Sequence, residues 1–142
     1  MRILLAVDDS KFSEAAAQAV IARHRVQDLE VRVLHAAEPP KLLIAPDMTQ
    51  YVPPRESAAE AKALVAKTAD ALRSAGIYVT TAVVQGDPKS VVIDDAEAWG
   101  ADLIVLGSHG RKGLQRFLLG SVSEAVLRHA HCSVEVVRLP SK

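Results

Sequence analysis

The 142-residue chain contains one cysteine, Cys132, so no internal disulfide can form and a disulfide-framed secreted scaffold is excluded. Asparagine is absent altogether, which removes any N-glycosylation acceptor. Charge of one sign is not in excess: 17 lysines and arginines balance 17 aspartates and glutamates. A nucleic-acid binder working through bulk charge is therefore not expected. Long apolar runs are missing as well. The first run, Ile3 to Val7, stops at Asp8 and Asp9, too short for a signal peptide or a membrane span. These absences leave a soluble, cytoplasmic protein with neither a nucleic-acid nor a membrane partner as the expectation.

What is present suits one globular domain covering residues 1–142. Apolar residues make up 49% of the chain and charged residues 24%. Short apolar runs alternate with helical patterns. Arg2 to Val7 reads as a strand buried on both faces, and Ser10 can cap a helix whose apolar face is Phe12, Ala16, Ala19 and Val20. Val31 to Ala37 is a second strand. Residues 38 to 54 hold five of the seven prolines and read as an irregular loop.

Further along, Arg55 to Ala75 has helical spacing closed by Gly76, and Ile77 to Val84 is a third strand. Asp87-Pro88 opens a helix that Gly100 ends, with Trp99 closing its apolar face after Val92 and Ala96. Asp102 to Leu106 is a fourth strand. Ser121 and Glu124 have the spacing of a capping box, and Ser133 to Leu139 is a fifth strand. Strands and helices alternating in this way predict an α/β fold with a parallel sheet covered on both faces. Ligands in such sheets bind beyond the carboxyl ends of the strands, where strand order reverses.

Several nucleotide and hydrolase fingerprints fail. The first turn, Asp8-Asp9-Ser10, lacks the glycines of a dinucleotide-binding turn, and neither a Walker loop nor a Gly-x-Ser-x-Gly elbow occurs. His129, His131 and Cys132 lack the spacing of chelating pairs and read as polar residues at a helix end, so no metal site is expected from them. Cys132 reads as a small apolar side chain.

The informative stretch runs from Gly107 to Ser123, leaving strand four and ending at a helix start. Its glycines allow close backbone approach to a ligand. The free amides of the following helix, with its dipole, make an anion site to which Ser121 and Ser123 add hydroxyls. Two readings stand side by side: a phosphate cradle, or a strand-to-helix connection in which Ser121 only caps. Arg111, Lys112 and Arg116 either neutralise a bound phosphate or form a solvated basic face.

The spacing Gly107-x2-Gly110-x9-Gly120-Ser121 resembles the motif of the ATP-binding branch of the universal stress proteins. The opening Ile-Leu-Leu-Ala-Val-Asp8, His35 at the end of strand two, Gly86-Asp87-Pro88 and the closing Ala130 to Val137 are similar to that family too. The resemblance implies a three-layer α/β/α, Rossmann-like fold of the adenine nucleotide alpha hydrolase type, with five parallel strands in the order 3-2-1-4-5. It implies that Gly107, His109, Gly110, Gly120 and Ser121, helped by Val122 and Ser123, surround the ribose and phosphates of ATP. Asp8 would contact the nucleoside, Ala6 and Val7 would line the adenine pocket, and the Ala36 backbone would bond the base. A bulky residue at Gly120 is expected to fill the phosphate space.

Mg²⁺ or Mn²⁺ would accompany the nucleotide, and a homodimer would form through the last strand, Val134 to Val137. Two departures from the pattern stand out: Asp9 replaces a usual glycine, and Glu135 interrupts the last strand, where it would pair with Arg138 of a second copy or weaken the dimer. The expected function is a nucleotide-dependent regulator or sensor in stress response, with at most slow hydrolysis. The alternatives are a nucleotide-free interaction module and a true ATP-hydrolysing or nucleotidyl-transferring enzyme.

Overall fold

In a computed structural model, residues 1–110 and 118–139 are described; the side chain of Val26 is not. Strand β1 (Arg2–Ala6) lies at the centre of the sheet, and its Ile3, Leu4 and Leu5 are fully buried. Side chains alternate across a strand, so one such run feeds two cores. Ile3 and Leu5 join Val31 and Val33 under helices α1 (Lys11–Arg23) and α2 (Ala58–Ser74). Leu4 joins Leu34, Ile104 and Leu106 under α3 (Pro88–Trp99) and α4 (Ser121–His129). The result is three layers with a parallel sheet in the middle.

The sheet is completed by β2 (Glu30–Ala37), β5 (Tyr78–Gln85), β6 (Leu103–Gly107) and β7 (Ser133–Val137). Its order is β5-β2-β1-β6-β7, with every pairing parallel. In terms of the five parallel strands this is the expected 3-2-1-4-5. The chain winds outward from β1 to one edge, then returns to β6 beside β1. The order therefore reverses between β1 and β6, and a crevice opens there at the carboxyl ends.

Caps fix the helix starts. Ser10 accepts from the Ser13 amide and Asp87 from the Ser90 amide, and Ser57 with Glu60 forms a full capping box ahead of α2. That box moves the start of α2 from the expected Arg55 to Ala58. Gly76 (φ 85°) and Gly100 (φ 77°) adopt the left-handed conformation that ends a helix at little steric cost.

Two sequence expectations need correction. Residues 38–54 are not irregular: β3 (Lys41–Ala45) and β4 (Met48–Val52) form an antiparallel hairpin in register from Lys41↔Val52 to Ala45↔Met48. All five prolines lie outside the two strands, with Pro46 in the two-residue turn, so they punctuate the hairpin without costing it a ladder bond. Ser121 and Glu124 form no capping box. Gly120 is the N-cap, Ser121 is the first helical residue, and the Glu124 carboxylate pairs with Arg128 at 3.0 Å. Within the chain, Glu135 faces α1, 3.8 Å from Arg23 Nη1 and 4.0 Å from His24 Nε2. The strand limits also shift: β1 ends at Ala6, β5 runs from Tyr78 to Gln85, β6 includes Gly107, and β7 stops at Val137.

Candidate functional site

The crevice at the strand-order reversal is a cavity of about 620 Å³, within the usual size of small-molecule sites. Ala6, Val7 and Asp8 enter it from the end of β1, and His35 and Ala36 from the end of β2. Gly107, His109 and Gly110 reach it from the end of β6, and Gly120, Ser121, Val122 and Ser123 from the start of α4. Every residue expected at the site thus borders one cavity. Arg111, Lys112 and Arg116 lie outside the described residues.

Asp8 is held by the start of α1. Its Oδ1 accepts from the Ser10 amide at 2.9 Å and from the Ser13 hydroxyl at 2.9 Å, while Ser13 Oγ accepts the Asp8 amide at 2.8 Å. The carboxylate is thereby fixed at the cavity wall before any ligand arrives. Asp9, one residue on, is exposed. The glycines permit tight packing around this corner. A Cβ at Gly107 would stand 2.6 Å from Phe12 Cβ and 2.8 Å from the Phe12 carbonyl carbon, so the end of β6 fits against α1 only without a side chain. A Cβ at Gly110 would stand 2.9 Å from Asp8 Oδ2.

The loop between β6 and α4 is pinned at its base. The Ser108 carbonyl accepts from the Gly120 amide at 2.6 Å and from Ser123 Oγ at 2.8 Å, and the Ser123 hydroxyl also lies 3.0 Å from the Gly120 carbonyl. Ser123 is 2% exposed, so its proton serves the loop closure and only its lone pairs remain for another partner. A side chain at Gly120 would meet His109 Cα at 3.1 Å and Ser108 O at 3.2 Å, so substitution there disturbs the loop base as well as the cavity. His109 is buried, its ring 5.2 Å from that of Phe12 and its Nδ1 3.1 Å from Ser108 Oγ.

Among the described residues, no side chain caps α4. The amides of its first turn, with the positive end of the helix dipole, face the cavity rim where Ser121 and Val122 stand. This arrangement suits an anion, and the apolar floor of Ala6, Val7, Leu34 and Val92 suits a flat ring.

Part of the wall lay outside the sequence expectations. Glu38, Pro39 and Glu56 close the cavity on the hairpin side, and Lys89 stands in the first turn of α3. His35 bridges the two regions: Nδ1 lies 2.8 Å from the Val7 carbonyl and Nε2 lies 2.6 Å from Glu56 Oε2. Glu56 sits just ahead of the Ser57-x-x-Glu60 capping box, a signal that would have put it at a helix start but not beside His35. Among the described residues, no three His, Cys, Asp or Glu side chains are grouped to hold a metal, and no helix is long and apolar enough to cross a membrane.

A doubly wound parallel sheet with its cavity at the switch point, bordered by an uncapped helix start, defines a Rossmann-like α/β domain with a small-molecule crevice. The chain belongs to the universal stress protein family, whose model matches residues 1–138. It is 30% identical to the universal stress protein Sll1388 of Synechocystis sp., over 96% of this chain and 97% of that one. Shorter matches of 46% and 52% identity cover only 39% and 36% of the length of the universal stress proteins concerned. Among solved structures, it is similar to a universal stress protein in complex with cAMP (TM-score 0.72, 22% identity, 97% of this chain and 96% of that chain). It is similar also to the Arabidopsis thaliana family protein At3g01520 with AMP bound (TM-score 0.68, 17% identity, 99% and 93%).

Proposed function

We propose that this chain is an adenine-nucleotide-binding regulator that takes ATP into the crevice between β1 and β6. The observation that carries the reading is the convergence on one cavity of Asp8, the three glycines and an uncapped helix start. The glycine spacing and the cAMP and AMP bound to the two related folds support an adenine nucleotide as the ligand. In this reading Ala6 and Val7 line the adenine, the Ala36 backbone bonds it, and Asp8 contacts the nucleoside. The phosphates meet the amides of Ser121, Val122 and Ser123 beside Gly120, with Gly107, His109 and Gly110 shaping the passage.

The residues present fit such a ligand, since the α4 start offers backbone donors to an anion. A divalent Mg²⁺ or Mn²⁺ ion would be carried by the phosphates, whose hard oxygens it prefers, with Asp8 a carboxylate on the cavity wall. Its contribution is charge neutralisation. The role is regulatory, with the nucleotide state read by a second protein. A homodimer through Val134 to Val137 of edge strand β7 and a cytoplasmic location complete the reading.

The test is a calorimetric titration of nucleotide-stripped protein with Mg²⁺-ATP, repeated with AMP and cAMP. Saturation near one nucleotide per chain in the micromolar range, about 8 kcal/mol, and a tenfold or greater loss in Asp8→Ala are expected. Absence of saturable binding by any of the three overturns the reading.

A further inference from the structure

Among the described residues, no element covers the β3–β4 hairpin. Residues 41–51 are all exposed and Val52 is half-buried, and beyond each other β3 and β4 have no substantial packing partner among the described residues. Five of the ten exposed large apolar side chains among the described residues lie on it: Leu42, Leu43, Ile44, Met48 and Tyr51, at 54% to 77% exposure. Strand alternation and the register divide them between two faces. Leu42, Tyr51 and Ile44 share one face, and Leu43 and Met48 share the other. An isolated two-stranded hairpin is marginal in water, and a third or fourth strand or a packed face is needed to hold it.

We propose that this hairpin is a self-association arm, through which it joins the same hairpin of a second copy. Twofold pairing of two identical hairpins supplies the missing strands, giving a four-stranded sheet, and it is self-complementary as a closed dimer requires. Pairing covers an open backbone edge of each hairpin and extends both apolar faces across the two copies, Leu42, Ile44 and Tyr51 on one side and Leu43 and Met48 on the other. Charge points to a like partner. The hairpin strands carry one charged residue, Lys41, which is answered at 3.6 Å by Glu38 of the same chain; Asp47 is in the turn. Such a surface offers little to a highly charged partner and no repulsion to its own copy. This interface is separate from edge strand β7, so the two can coexist.

The experiment is sedimentation of the full chain over a wide range of micromolar concentration. Wild-type protein is compared with Leu42→Asp/Ile44→Asp and with Leu43→Asp/Met48→Asp, circular dichroism verifying that each retains its helices. At least one pair should drop the protein one assembly step, dimer to monomer or, if β7 also pairs, tetramer to dimer. That corresponds to self-association weakened by about tenfold or more. A second readout needs no variant: amide exchange in segment 41–52 of the wild type should accelerate on dilution. Wild-type protein that is monomeric throughout, variants that assemble like the wild type, or exchange independent of concentration each overturn the proposal.

Discussion

His35 Nε2 stands 2.6 Å from Glu56 Oε2, and the opposite nitrogen of the same ring stands 2.8 Å from the Val7 carbonyl. The two side chains are 5% and 11% exposed, so the pair is nearly out of water. It ties three parts of the chain at one point: the end of β1, the end of β2 and the segment leading from the hairpin into α2. Glu38, Pro39 and Glu56 at the base of the hairpin also border the cavity. A ligand in the crevice and a partner on the hairpin would therefore act on neighbouring backbone.

Removing the ring leaves the nearly buried Glu56 carboxyl group and the Val7 carbonyl without their shared partner. His35→Ala is expected to cost about 2 kcal/mol or more in urea denaturation. Glu56→Gln retains an oxygen acceptor at the same reach and is expected to cost distinctly less. Equal losses for the two variants would show that the carboxylate charge, and not the ring's bridging position, dominates.

The glycines at the cavity should differ in what a methyl group does. Gly107→Ala drives a Cβ to within 2.6–2.9 Å of three Phe12 atoms, two of them backbone, so α1 must move. A loss of about 2 kcal/mol is expected from such overpacking. Gly120→Ala meets its neighbours at 3.1 and 3.2 Å, and a shift of a few tenths of an ångström relieves it. Thermal or urea unfolding should rank Gly107→Ala well below Gly120→Ala in stability, and the reverse order would contradict this account of the β6–α1 contact.

Burial raises the Cys132 thiol above its ordinary value of 9.0, and the Asp102 carboxylate adds to the rise while a backbone hydrogen bond involving Ile104 opposes it. The unfolded chain then loses this proton at lower pH than the folded one. Above pH 9 the folded state holds more protons, so stability contributed by the neutral thiol declines as pH increases. Alkylation of Cys132 should reach its half-maximal rate at higher pH in native protein than in urea, and Asp102→Asn should narrow the gap. Coincident profiles would refute the shift.

Much of the fold was legible because its signals are local. The buried run at Ile3 to Leu5, the caps at Ser10 and Asp87, and the glycines at 76 and 100 each act within a turn or a strand of their own position. The hairpin was missed because prolines were counted without regard to place: Pro39, Pro40, Pro46, Pro53 and Pro54 all lie where no ladder bond is needed. The supposed Ser121 cap failed because Gly120 already occupies the N-cap, with its amide bonded to the Ser108 carbonyl.

By itself the sequence determined the alternation of strands and helices, the glycine spacing, and the family resemblance, all of which depend on residues close together in the chain. Tertiary structure alone decided that Glu56 would meet His35 across 21 residues, that Glu135 would face Arg23 and His24, and that Gly107 would have to be bare for Phe12. These are contacts between elements whose relative placement follows from burying two cores against one sheet. No local pattern encodes them, because each is set by where the packed layers bring distant segments together.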